Sequence, residues 1–262
     1  MKENHAKHKL AQGQVVTAIT VNPIHDALAE QAAILGFDCV VADGEHGAVN
    51  DEHLESMARA ADLGGVSCAI RLPSAMPIVA SLRRYLEMGI STVQITQIQS
   101  ADQAREVIEA VKYPPLGKRG VGPNARALEF GQIMAKGRMQ DYVEFANRET
   151  MVIVSIEDEA GLTALPEVLK VDGIDIVMPG QVDLSSVFGI PGQTQHPKVL
   201  KALDEIGNQT IKAGKVLGRG ADTPEAAELV IAAGARFILT SVSKAFSLGA
   251  SPLLAGVNAA RV

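Results

Sequence analysis

Along most of the chain, short apolar runs alternate with longer stretches in which apolar residues recur every three or four positions. The short runs have the length of strands, and the longer ones have the period of amphipathic helices. Strands are predicted at residues 15–20, 37–42, 66–71, 92–96, 151–156, 174–178, 215–217 and 237–240. Helices are predicted at 23–35, 51–62, 77–88, 101–111, 197–213 and 224–233, and a last one starts at Ser243. The strands are apolar at successive positions, as parallel strands covered by helices on both faces must be. Glycines in MGIST, AAGARF and VDGIDI mark turns from helix to strand. Eight strands in 262 residues leave about 33 residues per unit, the length of a βα repeat. An α/β fold of the (β/α)8 TIM-barrel type fits both number and length. A doubly wound open sheet is the other arrangement the alternation admits.

One segment breaks the rhythm. About 40 residues lie between Val111 and Met151, including KYPPLGKRGVGPNARALEFGQ, rich in Gly, Pro and basic residues. They predict a long irregular connection, and such connections in compact domains usually serve function or motion. Residues 1–12 are polar and expected to be loosely ordered. No shift of composition marks a boundary, so residues 1–262 read as a single barrel domain.

Composition narrows the function. The chain carries 24 Lys and Arg against 30 Asp and Glu, a net charge of −6, which argues against a nucleic-acid partner. Aromatic residues make up 3% with no Trp, too few for a base-stacking platform. No apolar run approaches the ~18–20 residues that span a bilayer, so no membrane partner is expected. The start, MKENHAKHKL, lacks the apolar segment of a secretory signal. Cys39 and Cys68 sit inside apolar runs and read as buried thiols in a reducing compartment. A cytoplasmic location is expected.

In a barrel of this kind, catalysis sits at the carboxyl ends of the strands. The polar residues there are Asp43, Glu45 and His46 after strand two, Arg71 after three, and Gln97 and Gln99 after four. Ser155, Glu157 and Asp158 follow strand five, Gln181 and Asp183 strand six, Arg219 strand seven and Lys244 strand eight. Glu157 and Asp183 lie 26 residues apart, about one βα unit, and can converge from adjacent strands. Two carboxylates, waters and a chelating substrate suit a hard divalent cation such as Mg²⁺ or Mn²⁺. Asp183 equally suits the N-cap of a short helix over LSSVF, and Glu157 a solvated loop. His46 lies three residues after Asp43, and a carboxylate beside an imidazole fixes its tautomer and raises its basicity. That pair suits general acid–base work, whereas a surface hydrogen-bonded role suits His5, His8, His25, His53 and His196. Arg71 needs an anion, which is either a substrate oxyanion or a structural partner at Glu45 or Glu87. Lys244 admits Schiff-base chemistry or a salt-bridged role at a helix start. Gly120-Val-Gly122-Pro-Asn-Ala imitates a dinucleotide loop but follows no strand, so that reading fails.

FDCVVADGEHGAVN, AIRLP, ADQAREVIEAVKYPPLGKRGVG and VSIEDEAGLTALPEVLKVDGIDIVMPGQVDLSSVFGIPGQTQHP resemble the HpcH/HpaI aldolase/citrate lyase family. The resemblance covers roughly residues 13–245. It implies a barrel of the phosphoenolpyruvate/pyruvate type that cleaves or forms 4-hydroxy-2-oxo acids, with pyruvate and an aldehyde as the small-molecule partners. It implies a divalent cation (Mg²⁺, Mn²⁺ or Co²⁺) on Glu157 and Asp183, and an Arg on the pyruvate oxygens at Arg71. The acid–base His falls on His46, supported by Asp43. An acidic residue that joins the site's polar network falls on Glu87. Ser155, Gln181, Val182 and Asp183 fall at substrate-binding positions. A homo-oligomer, a hexamer built as a trimer of dimers, is implied as well. The chain departs from the pattern at Ser155, where many family aldolases have Gln. It departs again at Gln181-Val182, where they have Pro-Ala, at Ile95-Thr96-Gln97-Ile98, and at Leu217-Gly218-Arg219. These changes surround the acceptor pocket. Other chemistries on such a site are lysis of a CoA thioester, for which the basic loop 118–126 would serve, decarboxylation of oxaloacetate, and non-catalytic sensing of 2-oxo acids.

Overall fold

The computed structural model describes residues 2–74 and 78–260. In chain order its first half comprises α1 (His5–Ala11), β1 (Val16–Val21), α2 (Asp26–Ile34), β2 (Cys39–Asp43), α3 (Asp51–Gly64), β3 (Ser67–Pro73), α4 (Ile78–Glu87), β4 (Thr92–Thr96) and α5 (Ala101–Val111). After a 3-10 turn over Arg126–Gly131 come α6 (Gln132–Ala135), α7 (Met139–Glu149), β5 (Met151–Ile156), α8 (Glu159–Val168) and β6 (Ile176–Pro179). The chain continues through α9 (Gln181–Val187), α10 (Pro197–Lys212), β7 (Val216–Gly220), α11 (Pro224–Ala232), β8 (Phe237–Ser241) and α12 (Val242–Ala259). Each strand pairs in parallel with the next, and β1 pairs with β8, which closes a (β/α)8 barrel and excludes the open sheet. The predicted helix start at Pro77 lies outside the described residues.

Alternation along each strand divides the apolar residues between two cores. Val16, Cys39, Val41, Ala69, Ile153, Ile176 and Phe237 fill the barrel interior. Their neighbours Val40, Ile70, Val93, Val152 and Val177 face outward, where α3, α5, α8 and α10 cover them. Ser100, Asp158, Thr223 and Ser241 each accept a backbone N–H from the first turn of the helix that follows, which fixes where α5, α8, α11 and α12 begin. Cys39 and Cys68 are buried free thiols, as their apolar surroundings predict.

Two expectations fail. Residues 2–12 are ordered, because Asn4 is completely buried against the amino ends of β3, β4 and β5. Its amide donates to Ser91 O, Thr92 Oγ1 and Glu149 O, and its Oδ1 accepts from Ser67 Oγ and the Lys7 N–H. A polar sequence can therefore be ordered by burying its polar groups in satisfied bonds. The second concerns the segment between Val111 and Met151, whose latter half is helical. Tyr113, Leu128, Ile133, Tyr142 and Ala146 form a small core of their own there.

The last two helices differ from the rest. Neither α11 nor α12 buries a residue. Leu229, Phe246, Leu253 and Leu254 are each at least 60% exposed. No helix among the described residues is long and apolar enough to cross a membrane.

Asn4→Ala removes a side chain that makes five hydrogen bonds, three of them buried. It is expected to lower unfolding stability by about 2–4 kcal/mol, read as a lower urea midpoint at unchanged slope.

Candidate active site

The parity that builds the inner core also aims the polar strand ends. Asp43, Arg71 and Gln94 stand side by side in register across β2, β3 and β4. Asp43 shares the inward parity of Cys39 and Val41, and Arg71 that of Ala69. Ser155 and Glu157 share that of Met151 and Ile153. At the carboxyl end Arg71, Gln94, Ser155 and Glu157 meet residues 180–183 and enclose a pocket of about 160 Å³. Its wall includes Glu45, His46, Arg71, Gln94, Thr96, Ser155, Glu157, Gln181, Val182 and Asp183.

Glu157 is buried rather than solvated, at 6% exposure. Its Oε1 accepts the backbone N–H of Gln97 at 2.8 Å. Gln97 presents that N–H from a left-handed conformation, φ +57°, a strained geometry for a residue with a β-carbon. Asp183 does not cap its helix. The N-cap of α9 is Gly180, and it makes no side-chain capping bond, so the carboxylate is left for the pocket. Gly180 lets the two acids approach: a β-carbon there would stand 2.5 Å from Glu157 Oε2 and 3.3 Å from Asp183 Oδ2. Burial first, then the Asp183 and Glu45 carboxylates, push the Glu157 carboxyl up to about 7, against the opposing Gln97 N–H and Arg71. Among the described residues no three His, Cys, Asp or Glu side chains form a metal cluster. The Glu157–Asp183 pair supplies two hard oxygen donors with surplus negative charge. That donor set fits Mg²⁺ or Mn²⁺, which bind through one or two carboxylates and fill the remaining positions with water and substrate.

Arg71 lies across the pocket. Its Nε and Nη2 donate to the two oxygens of Asp43 at 3.1 and 2.8 Å, and Nε lies 3.5 Å from Glu45 Oε2. Asp43 also accepts the backbone N–H groups of Glu45 and His46. Burial would raise the Asp43 carboxyl, but the Arg71 bonds and these two N–H groups outweigh it and hold it below the usual range. The expectation that Asp43 orients the His46 imidazole is therefore corrected. Asp43 is occupied by Arg71 and by the turn, and it touches His46 only through the backbone. The carboxylate facing the imidazole is Glu45, with Oε2 3.7 Å from His46 Nε2. Glu45 also accepts from Thr96 Oγ1 at 2.6 Å. His46 is the exposed member of the group.

Glu87 lies apart from this pocket, on α4, with its carboxylate against Gly122. Asp158 caps α8 and accepts from Gln99. Arg219 and Lys244 do not line the pocket. Of the cations of the loop 118–126, Lys118 pairs with Glu109, Arg126 pairs with Asp62 and Arg119 lines a separate cavity, so none of them lines this pocket. One polar wall residue, Gln94, was missed by sequence reasoning, whereas the sequence places Thr96 near the acceptor pocket. Gln94 is buried in β4, donates to Ser155 Oγ at 3.2 Å, and leaves its Oε1 without a partner. Thr96 shares its parity. The signal was the polar alternation Thr92, Gln94, Thr96 within an otherwise apolar strand, which places all three on the inward face.

The folded state holds the Glu157 proton to higher pH than the unfolded chain does. In chelator, stability is expected to fall as pH rises from 4.5 through about 7, by about 2–4 kcal/mol from this group. Urea unfolding of wild type and Glu157→Gln at pH 5 and 7.5 checks this. Equal pH dependence in the two proteins would mean that the carboxyl titrates normally.

The profile of the HpcH/HpaI aldolase/citrate lyase family matches residues 20–245. A 2-keto-3-deoxy-L-rhamnonate aldolase of Escherichia coli O17:K52:H18 is 32% identical over 243 residues, 91% of this chain and 87% of the relative. An HpcH/HpaI aldolase/citrate lyase family protein from Burkholderia cenocepacia J2315 superposes with TM-score 0.87 at 25% identity, over 99% of this chain and all of the other. Citrate synthase SbnG superposes with TM-score 0.84 at 25% identity over 98% of each chain. With the family profile spanning most of the chain and an aldolase relative 32% identical over most of both chains, this protein belongs to the HpcH/HpaI aldolase/citrate lyase family and is an enzyme of the aldolase type.

Proposed function

We propose that the protein is a divalent-metal-dependent aldolase that reversibly cleaves a 4-hydroxy-2-oxo acid to pyruvate and an aldehyde. The observation that carries this reading is the approach of Glu157 and Asp183 over Gly180, across the pocket from Arg71. The Escherichia coli relative, named for a 2-keto-3-deoxy acid, supports the substrate class. Glu157 and Asp183 would hold the cation, Mg²⁺, Mn²⁺ or Co²⁺, whose charge stabilises a developing enolate when it is bound.

The protein's own groups do the rest. Asp43 holds the Arg71 fork by two of its nitrogens and leaves the guanidinium oriented towards the pocket, where it donates to the C2 oxygen as that oxygen gains charge. His46, at the exposed rim, takes the C4 hydroxyl proton directly or through a water, with Glu45 beside it to stabilise the imidazolium. The C3–C4 bond breaks, its electron pair passes to the pyruvate fragment as enolate, the aldehyde leaves, and C3 is protonated. Gln181, Val182 and Ser155 line the space around the substrate. Lys244 is exposed outside the pocket, which favours this route over an imine.

Chelator should abolish pyruvate release from a simple 4-hydroxy-2-oxo acid, and Mn²⁺ should restore it. Glu157→Ala and Asp183→Ala should lose both Mn²⁺ binding and turnover. His46→Ala should keep binding Mn²⁺ and the enolate analogue oxamate while cleavage slows by about 10²–10⁴-fold. Full activity in chelator would refute the metal reading, and near-normal cleavage by His46→Ala would make that residue structural.

The same reading includes a cytoplasmic homo-oligomer. Eight strands need eight covering helices, yet α12 follows β8 with no fully buried residue, and only its first residue, Val242, packs against the outer core. Its exposed Phe246, Leu253 and Leu254 are suited to a second copy of the chain. Light scattering should report an oligomer, with a hexamer as the expected state, and Leu253→Asp with Leu254→Asp should reduce it to smaller species. A monomeric wild type would sink this part of the reading.

A further inference from the structure

The opposite end of the barrel holds a second cavity, of about 400 Å³. It lies where α3 and α4 end and β4 and β5 begin, roofed by the excursion between Val111 and Met151. Arg119 reaches into its wall and is 5% exposed. Its guanidinium has no carboxylate within ion-pair distance and no hydrogen-bond acceptor among the described residues, and its Nε is fully buried. Its one contact of note is the ring of Tyr113, 4.5 Å below. The other charges on the wall have partners: Lys2 donates to Asp62 O, and Glu129 is engaged as well. Arg126 pairs with Asp62, and Glu149 is bound by His8, Arg148 and the Asn4 N–H. Arg119 is therefore a buried positive charge on this wall without an ion-pair partner among the described residues. Such a group is costly to bury alone, and its planar fork matches a carboxylate. Leu86, Phe130 and Phe145 add apolar surface to the same wall.

We propose that this cavity binds a small organic monocarboxylate, with the carboxylate on Arg119 and an apolar body against Phe130 and Phe145. A single cation without an ion-pair partner suits a monoanion, while Asp62 and Glu149 on the same wall oppose a more highly charged ligand such as phosphate. The site lies at the other end of the barrel from the pocket with Glu157 and does not depend on the reaction proposed there.

Benzoate and its neutral isostere benzamide are the probes, followed by calorimetry and ligand-observed NMR on the full chain. Wild type should bind benzoate at least ten-fold more tightly than benzamide, and inorganic phosphate should not compete. Arg119→Met should lose at least ten-fold in benzoate affinity while oxamate binding with Mn²⁺ stays within two-fold, which also reports an intact fold. Phe130 is 68% exposed, so Phe130→Ala tests the same wall should Arg119→Met fail to fold, with a several-fold loss expected. The proposal is overturned by absent benzoate binding, by equal affinity for benzoate and benzamide, by displacement with phosphate or oxamate, or by benzoate affinity that neither variant alters.

Discussion

Closure of the eight parallel strands is the constraint on which everything else depends. Once β8 pairs with β1, each strand has one face that sees only the barrel interior, and every second side chain must lie there. Near the amino ends and middle of the strands those positions hold Val16, Ala18, Cys39, Ala69 and Phe237, which pack as a dry core. At the carboxyl ends the same parity delivers Asp43, Arg71, Ser155 and Glu157 to one mouth. Core and active site are thus two stretches of a single alternation, and a slip of one residue in any strand would exchange polar for apolar on both.

The mouth is organised by an imbalance of charge. Three carboxylates, Glu45, Glu157 and Asp183, approach a region whose nearest cation, Arg71, is already committed to Asp43. The Asp43–Arg71 pair is bidentate, and so directs the guanidinium. Glu157 accepts the Gln97 N–H but has no ion-pair partner among the described residues, and burial and its acidic neighbours drive its carboxyl up to about 7. A site that orients one charge firmly and leaves another uncompensated is prepared for a cation and an anionic substrate together.

The two ends of the chain show how the barrel is finished. At the amino mouth, Asn4 and Ala6 close the interior with a satisfied polar network and a small apolar plug. At the carboxyl terminus, α12 carries a run of apolar side chains that its own barrel does not cover. The unpaired guanidinium of Arg119 is a third unfinished feature, remote from the chemistry. The two exposed or unpaired features call for partners of different kinds, one for apolar area and the other for charge.

The sequence by itself determined the strand number, the unit length, and which strand ends bear acids, the His and the Arg, because these follow from local periodicity. Strands at Thr92–Thr96 and Met151–Ile156 and the helix at Ala101–Val111 fall where the pattern puts them. Family resemblance added the chemistry, and parity in TVQIT would have added Gln94. Pairing could not be read in this way. That Asp43 serves Arg71 while Glu45 faces His46 depends on the turn between β2 and α3, whose backbone N–H groups bind Asp43. The order of residues 2–12 depends on amino strand ends more than sixty positions away. The placing of Glu87 away from the mouth depends on how α4 meets Gly122. Each of these is a contact between segments distant in sequence or a choice among several nearby carboxylates, and only the closed barrel fixes the distances that decide them.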